Sequence, residues 1–491
     1  MTDRAQHRVA RNAAVRSAGE IVAKVASLLF FITMARELGR EGFGAFMFAL
    51  ALTSTLLVGA GFGTDELTSR EVARDRTRAG RYLSDVTALK TSSAVVLLAL
   101  AVLIVNLGDF SADARAAVII VGFGVAVEAI ARTWYMIFQA HERLDLVSLS
   151  IVIQRTLTAV VGIAVLKSGG GVVPAALVFA GGALVGLAVS ELSVRRLVPR
   201  RPRPQPRTWP GLLRTSFPIG VAFVLFILLM RLDVTLLSFL SGEEEVGVYA
   251  AAFRLVESTQ FLAWALSAAM MPWLSRTGGE HGGLARGYEL GLKAMNAMLL
   301  PVSLVFVLFA DDLIDLLYGP GFAAAVLPLQ LLGLTGALYG MQSFASTTLI
   351  ARDAPGTFAR LVAVVVLLNV SGNLVVIPRY GADGAASVAL ASGVILAAAS
   401  VWLAARHVGR VRFWRSFAGP LLAAGAMTLV ALAVPGPRVL CLALALVAYG
   451  ATLLAVERLA FRDDLRIFLG VLPSRVTAWS RSRSRSGRRS A

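Results

Sequence analysis

The chain has 491 residues, 57% hydrophobic and 16% charged, a balance that about three soluble domains of ordinary composition do not carry. A formal charge of +17 and a pI near 11 would direct a soluble protein toward nucleic acid, so the sign has to be read against membrane topology first. The single cysteine, Cys441, lies in an apolar stretch and excludes an intrachain disulfide or a Cys-based zinc site. His7, His141, His281 and His407 fall in or near polar connections, so neither a metal site nor a cofactor is expected.

Fourteen stretches reach the roughly 20 mostly apolar residues that a spanning helix needs. They lie near 14–36, 43–64, 88–107, 115–139, 146–166, 172–192, 215–240, 246–273, 293–317, 325–350, 358–377, 384–405, 418–434 and 438–456. The first follows Arg8, Arg11 and Arg16 but is long and lacks a small-residue cleavage site, so it reads as a retained helix and not a signal peptide. Between the stretches there is no room for a soluble domain.

Lys and Arg test this count, because short cytoplasmic loops collect them. With the N-terminus inside, 36 of the 47 fall in inner segments. Six fall in outer loops (Arg36, Arg40, Arg115, Lys167, Arg379, Arg438) and five within spans (Lys24, Arg132, Arg155, Arg231, Arg254). A missed span would swap the sides of everything after it. Both termini are therefore expected in the cytoplasm.

TSREVARDRTRAGRYLSD (68–85) reads as a surface helix on the inner side, and RRLVPRRPRPQPR (195–207) as a cytoplasmic linker that tolerates relative movement. RSRSRSGRR (481–489) has the form of an RNA-binding Arg/Ser segment. Its cytoplasmic position favours a tail held near anionic lipid, with no nucleic-acid partner.

Two sets of matches read as an internal repeat, the alternative being chance agreement among abundant Ala, Gly and Leu. GREGFGAFMFALAL (39–52) matches GEEEVGVYAAAFRL (242–255) at a displacement of 203, with Phe46 facing Tyr249. Ala140, Leu157, Gly170, Ala175 and Gly182 match Ala351, Leu368, Gly381, Ala386 and Gly393 at 211. Six helices per unit return the chain to the same side, so the units are parallel repeats about an axis along the membrane normal. The fold expected is an all-α polytopic membrane protein with 14 transmembrane helices: two parallel six-helix lobes and two C-terminal helices. Its parts are lobes at 1–192 and 215–405, a basic linker at 193–214, helices 13 and 14 at 406–458, and a basic tail at 459–491.

Ionisable groups inside a bilayer need a partner, water or a function. Arg16, Glu20 and Lys24 share one face of helix 1, Glu128 and Arg132 are four apart, and Arg254 and Glu257 three apart, so each set can neutralise itself. Arg155 has no acid three or four residues away, and Asp233 points elsewhere on the helix than Arg231. Cations near mid-depth on helices 1, 5 and 7 fit a hydrated cavity for an anion; interhelical salt bridges that fix packing are the competing reading. Pro218, Gly220, Pro272 and Pro301 supply points where the backbone can bend, and GAGFG (59–63) close-packing residues.

ARELGREGFGAF (35–46), RLDVTLLSFLSGEEEVGVYAAAFRLVE (231–257), LLYGPGFAAA (316–325) and NLVVIPRYGADGAA (373–386), in this order, carry a resemblance. The chain resembles the polysaccharide or oligosaccharide flippases of O-antigen transporter type, within the multidrug/oligosaccharidyl-lipid/polysaccharide exporter superfamily. The resemblance covers about the first twelve helices. It implies two six-helix lobes around a central cavity, alternating access, and a substrate of oligosaccharide joined through pyrophosphate to a polyprenol, moved from the inner to the outer leaflet. It also implies basic cavity residues that meet the pyrophosphate, and partners among membrane lipids and the glycosyltransferases and polymerase of the same pathway. Arg16, Lys24 and Arg231 occupy the matching helices. Arg155 joins them by depth, and Arg254 completes the candidate substrate-binding set, with Glu20, Asp233 and Glu257 as supporting charge partners. Lipid II flippases of the same superfamily, which also have fourteen helices, are the nearest rival. Drug antiporters fit less well, because the mid-depth charges lean cationic. A membrane glycosyltransferase or polysaccharide polymerase would need catalytic groups on a substantial outer loop, whereas the longest runs only from about 311 to 325. A scaffold for envelope assembly would survive loss of the mid-depth cations. No catalytic residue is expected.

Overall fold

A computed structural model describes residues 3–277, 283–351, 355–461 and 464. Among them there is no strand, and fourteen α-helical elements follow in order. They are α1 (Asp3–Leu57), α2 (Thr64–Arg74), α3 (Ala79–Leu107), α4 (Ala112–Ala140), α5 (Leu144–Lys167), α6 (Val172–Val194), α7 (Trp209–Ser241) and α8 (Glu243–Thr277). Then come α9 (Gly283–Leu308), α10 (Ala310–Tyr318), α11 (Val326–Ala351), α12 (Pro355–Val408), α13 (Phe413–Ala433) and α14 (Arg438–Ala460).

Eleven described stretches are long and apolar enough to cross a membrane. Two of them, Gly19–Ala60 with 42 residues and Gly356–Val408 with 53, are about twice the length one crossing uses. Each is two rods joined at a glycine: Gly39 (φ 68°) within α1 and Gly381 (φ 49°) within α12. Positive φ costs glycine little and other residues more, so the rods break there. The sequence count of fourteen crossings separates these rods and adds α8, which is not among the eleven.

The chain forms two compact units, the first made of Met1–Thr259, Ala310–Thr335 and Ala354–Ala399. The second comprises Gln260–Phe309, Gly336–Asp353 and Ser400–Ala491. In the second, α13 and α14 pack beside α9 around Phe309, Met427 and Tyr449. Lys293, buried on α9, is neutralised by Glu457 of α14 (2.9 Å) and by Asp464 (2.7 Å).

The surface helix expected over 68–85 is interrupted. Asp75 is extended (φ −143°) and its carboxylate accepts from the Thr77 backbone N–H (3.0 Å) and hydroxyl (2.6 Å), a local bond that competes with the helix ladder. Those bonds hold the Asp75 carboxyl below the usual carboxylate range. The linker at 195–207 is not helical before Pro206, and it is tied down. The buried Asp85 carboxylate accepts from Gln205 N (2.7 Å), Thr208 Oγ1 (3.1 Å) and Arg81 Nε (2.8 Å). Glu191 holds Arg195 (2.9 Å), Arg201 (2.8 Å) and the Trp134 indole (3.0 Å). The tail segment 481–489 lies outside the described residues.

Positions related by the repeat meet related surroundings in the first unit. Phe30, Phe46 and Gly162 pack together, the glycine leaving the space that the Phe30 ring takes. Displaced by 203, 203 and 211, the matching residues are Asp233, Tyr249 and Asn373, which form a buried polar cluster. Asn373 Nδ2 donates to Asp233 Oδ1 (2.6 Å) and the Tyr249 hydroxyl to Asp233 Oδ2 (3.1 Å). Removing one donor leaves a buried carboxylate oxygen short of a partner, which costs about 1–3 kcal/mol. Asn373→Ala is therefore expected to lower the thermal midpoint of the detergent-solubilised protein by several degrees, while a change confined to the exposed α12 residue Val375 leaves it in place.

Candidate functional site

The first unit contains a cavity of about 440 Å³ lined from both rods of α1 and from α2, α3, α4, α5, α6, α7 and α8. Six basic side chains face it, Lys24, Lys90, Arg132, Arg155, Arg231 and Arg254, against five acidic ones, Glu20, Asp65, Glu66, Glu128 and Glu257. Repeat-related positions line it with different chemistry: Lys24 with Ile227, Leu28 with Arg231, and Ser54 with Glu257. Aromatic rings close one end, where Phe31 and Phe179 line the wall and Phe46 packs on both.

Four of the six cations are committed to acids. Glu257 bridges Arg231 (2.9 Å) and Arg254 (2.7 Å), and the Arg254 guanidinium also lies 4.0 Å above the Phe31 ring. Arg155 pairs across to α4 with Glu128 (3.0 Å), which also accepts from Gln154 (2.5 Å). Lys90, nearly inaccessible, donates to Asp65 (2.5 Å) and to the Ala129 carbonyl (2.9 Å). Lys24 and Arg132 remain, and neither makes a hydrogen bond or ion pair with a described residue. Glu66 lies within electrostatic reach of Arg132. Burial against the cavity wall holds its carboxyl above the usual carboxylate range, and the Arg132 and Lys90 charges offset only part of that.

Of the residues singled out in the sequence, Lys24, Arg155, Arg231 and Arg254 thus come together on one cavity, with Glu20 and Glu257 beside them. The Arg16 side chain lies outside the described residues. Two readings change. Asp233, expected as a supporting charge partner, lies off the cavity, turned to Tyr249 and Asn373. Glu128 does not neutralise Arg132 along α4; it reaches the guanidinium of α5, where Gln154 fixes it. For Arg155, with no acid three or four residues away, the partner comes from another helix, one of the sources the spacing left open. Sequence reasoning missed Lys90, which the loop count placed among the inner cations although it stands two residues inside an apolar run. It also missed Asp65 and Glu66, which stand two and three residues after the last glycine of GAGFG.

Residues 9–278, more than half of the chain, match the family described as "Polysaccharide biosynthesis protein", and residues 218–375 match MatE. A probable low-salt glycan biosynthesis flippase, Agl15 of Haloferax volcanii, is 23% identical over 362 residues, covering 72% of this chain and 74% of that protein. Among solved structures, the lipid II flippase MurJ in an inward closed conformation shares the fold at TM-score 0.74 and 15% identity, over 92% of this chain and 99% of that one. An inward-facing multidrug resistance transporter of the MATE family matches at TM-score 0.63 and 16% identity, over 81% and 98%.

The pairing separates structural from available cations by experiment. Glu257→Gln leaves Arg231 and Arg254 facing each other without a carboxylate and is expected to cost about 3 kcal/mol. Lys24→Gln removes no pair and is expected to stay within about 0.5 kcal/mol. Thermal unfolding of the two variants in one detergent checks the contrast; equal losses would contradict it.

Proposed function

The chain belongs to the polysaccharide biosynthesis protein family, and on that premise we propose that it is a flippase that carries a polyprenyl-pyrophosphate-linked oligosaccharide from the inner to the outer leaflet of the cytoplasmic membrane. The reading assigns fourteen crossings, six in each of two parallel lobes at 1–192 and 215–405, with α13 and α14 appended and both termini inside. It assigns no covalent chemistry to the protein, whose partners are the lipid-linked glycan, the surrounding lipids, and the enzymes that build and polymerise that glycan.

One observation carries it: the cavity holds two cations, Lys24 and Arg132, to which no described acid is committed. Leaving a charge so placed is expensive unless water or an anion accompanies it. A pyrophosphate diester offers acceptor oxygens to both, at about 1.5–3 kcal/mol per charge-assisted hydrogen bond. These contacts replace hydration lost from the head group while the polyprenol stays in the bilayer. Arg231 and Arg254 lie on the same wall and can exchange part of their hold on Glu257 for phosphate. An inside-negative potential adds about 2.3 kcal/mol per uncompensated charge per 100 mV toward expulsion. The relatives named for glycan flipping support this substrate class. The fold shared with a lipid II flippase over nearly its whole length supports a second reading, in which the sugar moved is the peptidoglycan precursor.

In liposomes with fluorescent polyprenyl-linked oligosaccharide, Lys24→Gln and Arg132→Gln are each expected to slow leaflet exchange about tenfold or more while the protein remains folded. Formation of a new glycosidic bond would instead establish an enzyme. Depletion in the native host, with mass analysis of the lipid-linked intermediates that accumulate, separates the two flippase readings: lipid II supports the second, another oligosaccharide the first.

A further inference from the structure

We infer that the two repeat-related segments 39–46 and 242–249 form the outer gate of the cavity, a reciprocal clasp that must part for each transport cycle. The inference rests on the flippase reading for its purpose, and on the following geometry for its residues.

The clasp is built twice. Gly39 (φ 68°) and Gly242 (φ 90°), 203 residues apart, each break the chain in the left-handed region and start a new helical rod. Five residues later stand Gly44 and Gly247. A Cβ on Gly44 would overlap the Glu243 carbonyl oxygen, and a Cβ on Gly247 would overlap that of Arg40. Gly44 and Gly247 therefore each seat on the backbone of the residue just after the other segment's first glycine. Two backbones touch in a symmetric pair of contacts that no side chain can replace.

Side chains latch this contact. Arg40 pairs with Glu244 (3.1 Å), and Glu243 accepts from the Ser111 backbone (3.0 Å) and hydroxyl (2.8 Å). Glu245 accepts from Ala382 N (2.7 Å), and Arg36 Nε donates to the Leu317 carbonyl (2.6 Å). The three consecutive acids of GEEEVG thus hold three different elements. The Arg40–Glu244 pair is open to solvent, with Glu244 65% exposed, and an exposed pair is worth little. That suits a latch that opens repeatedly. Below it lies the layer of Phe31, Phe46 and Phe179 that caps the cavity, so clasp and rings together close one end of the path.

The test uses the full chain in native membrane vesicles of right-side-out orientation. In a Cys441→Ser background, Ser27→Cys places a reporter thiol on the cavity wall. Adding Gly44→Ala or Gly247→Ala wedges the clasp, and labelling by a membrane-impermeant maleimide from outside is expected to rise about tenfold. Unchanged labelling in these variants, correctly folded, would falsify the gate. In a second arm, Arg40→Cys with Glu244→Cys is bridged by a bis-methanethiosulfonate reagent. Flipping is expected to stop and to return on reduction, a reversal that a merely structural role does not give. A bridged protein that still transports at its full rate overturns the inference even where the glycine variants do not fold. If the unbridged protein moves no lipid-linked glycan, the flippase reading fails, and the labelling arm still decides the gate.

Discussion

Everything at the centre of this protein depends on the cost of leaving charge in a low-dielectric interior. Glu257 shows how the cost is met: one carboxylate holds two guanidiniums from different helices, and a phenyl ring covers one of them. Glu128 does the same for Arg155 with help from Gln154, and Asp65 for Lys90 with help from a carbonyl. Each of these sets ties together helices that sequence separates, so neutralisation and packing are one event. The cations left over, Lys24 and Arg132, make no such pair with a described residue. Cation count alone would have pointed to six residues; pairing reduces the available set to two.

The repeat gives two copies of one scaffold with different chemistry on it. At one trio of equivalent positions, Phe30, Phe46 and Gly162 make an apolar contact, while Asp233, Tyr249 and Asn373 make a hydrogen-bonded one. Around the cavity, Leu28 stands opposite in role to Arg231, and Ser54 to Glu257. The backbone relation survives where backbone meets backbone, at Gly44 and Gly247, because no larger residue fits either place. Side chains diverged wherever they face a cavity or a core that tolerates either solution. This explains why the glycines carried the repeat in the sequence and why the flanking residues blurred it.

The same contrast sets what the sequence could reveal. Apolar length and the loop bias of Lys and Arg are one-dimensional signals, and they exposed a polytopic all-helical chain and most of the charged residues that line the cavity. Pair identity is three-dimensional. Glu128 has Arg132 four residues on, which is the expected local partner, yet α5 brings Arg155 and Gln154 to it and the local pairing loses. Lys90 was hidden for a related reason: two residues from the edge of an apolar run, it counts as a topological charge unless Asp65, 25 residues earlier, is known to reach it. Asp75 ended a helix through a local side-chain bond that composition does not encode.

Where motion can occur follows from the strength of the contacts at each end. A proline- and arginine-rich linker reads as slack chain, but Asp85, almost wholly buried, binds its end through Gln205 N and Thr208 Oγ1, and Glu191 binds it again through Arg195 and Arg201. Releasing those groups would expose a carboxylate satisfied only in the folded arrangement. The Arg40–Glu244 latch faces solvent, and water replaces its bonds at little cost. Between a strap of buried, charge-assisted bonds and a latch of exposed ones, rearrangement takes the weaker contact first. The linker then serves as a short tether that keeps the start of α7 beside α3, and the contact that gives way at least cost lies beside the glycine breaks at Gly39 and Gly242.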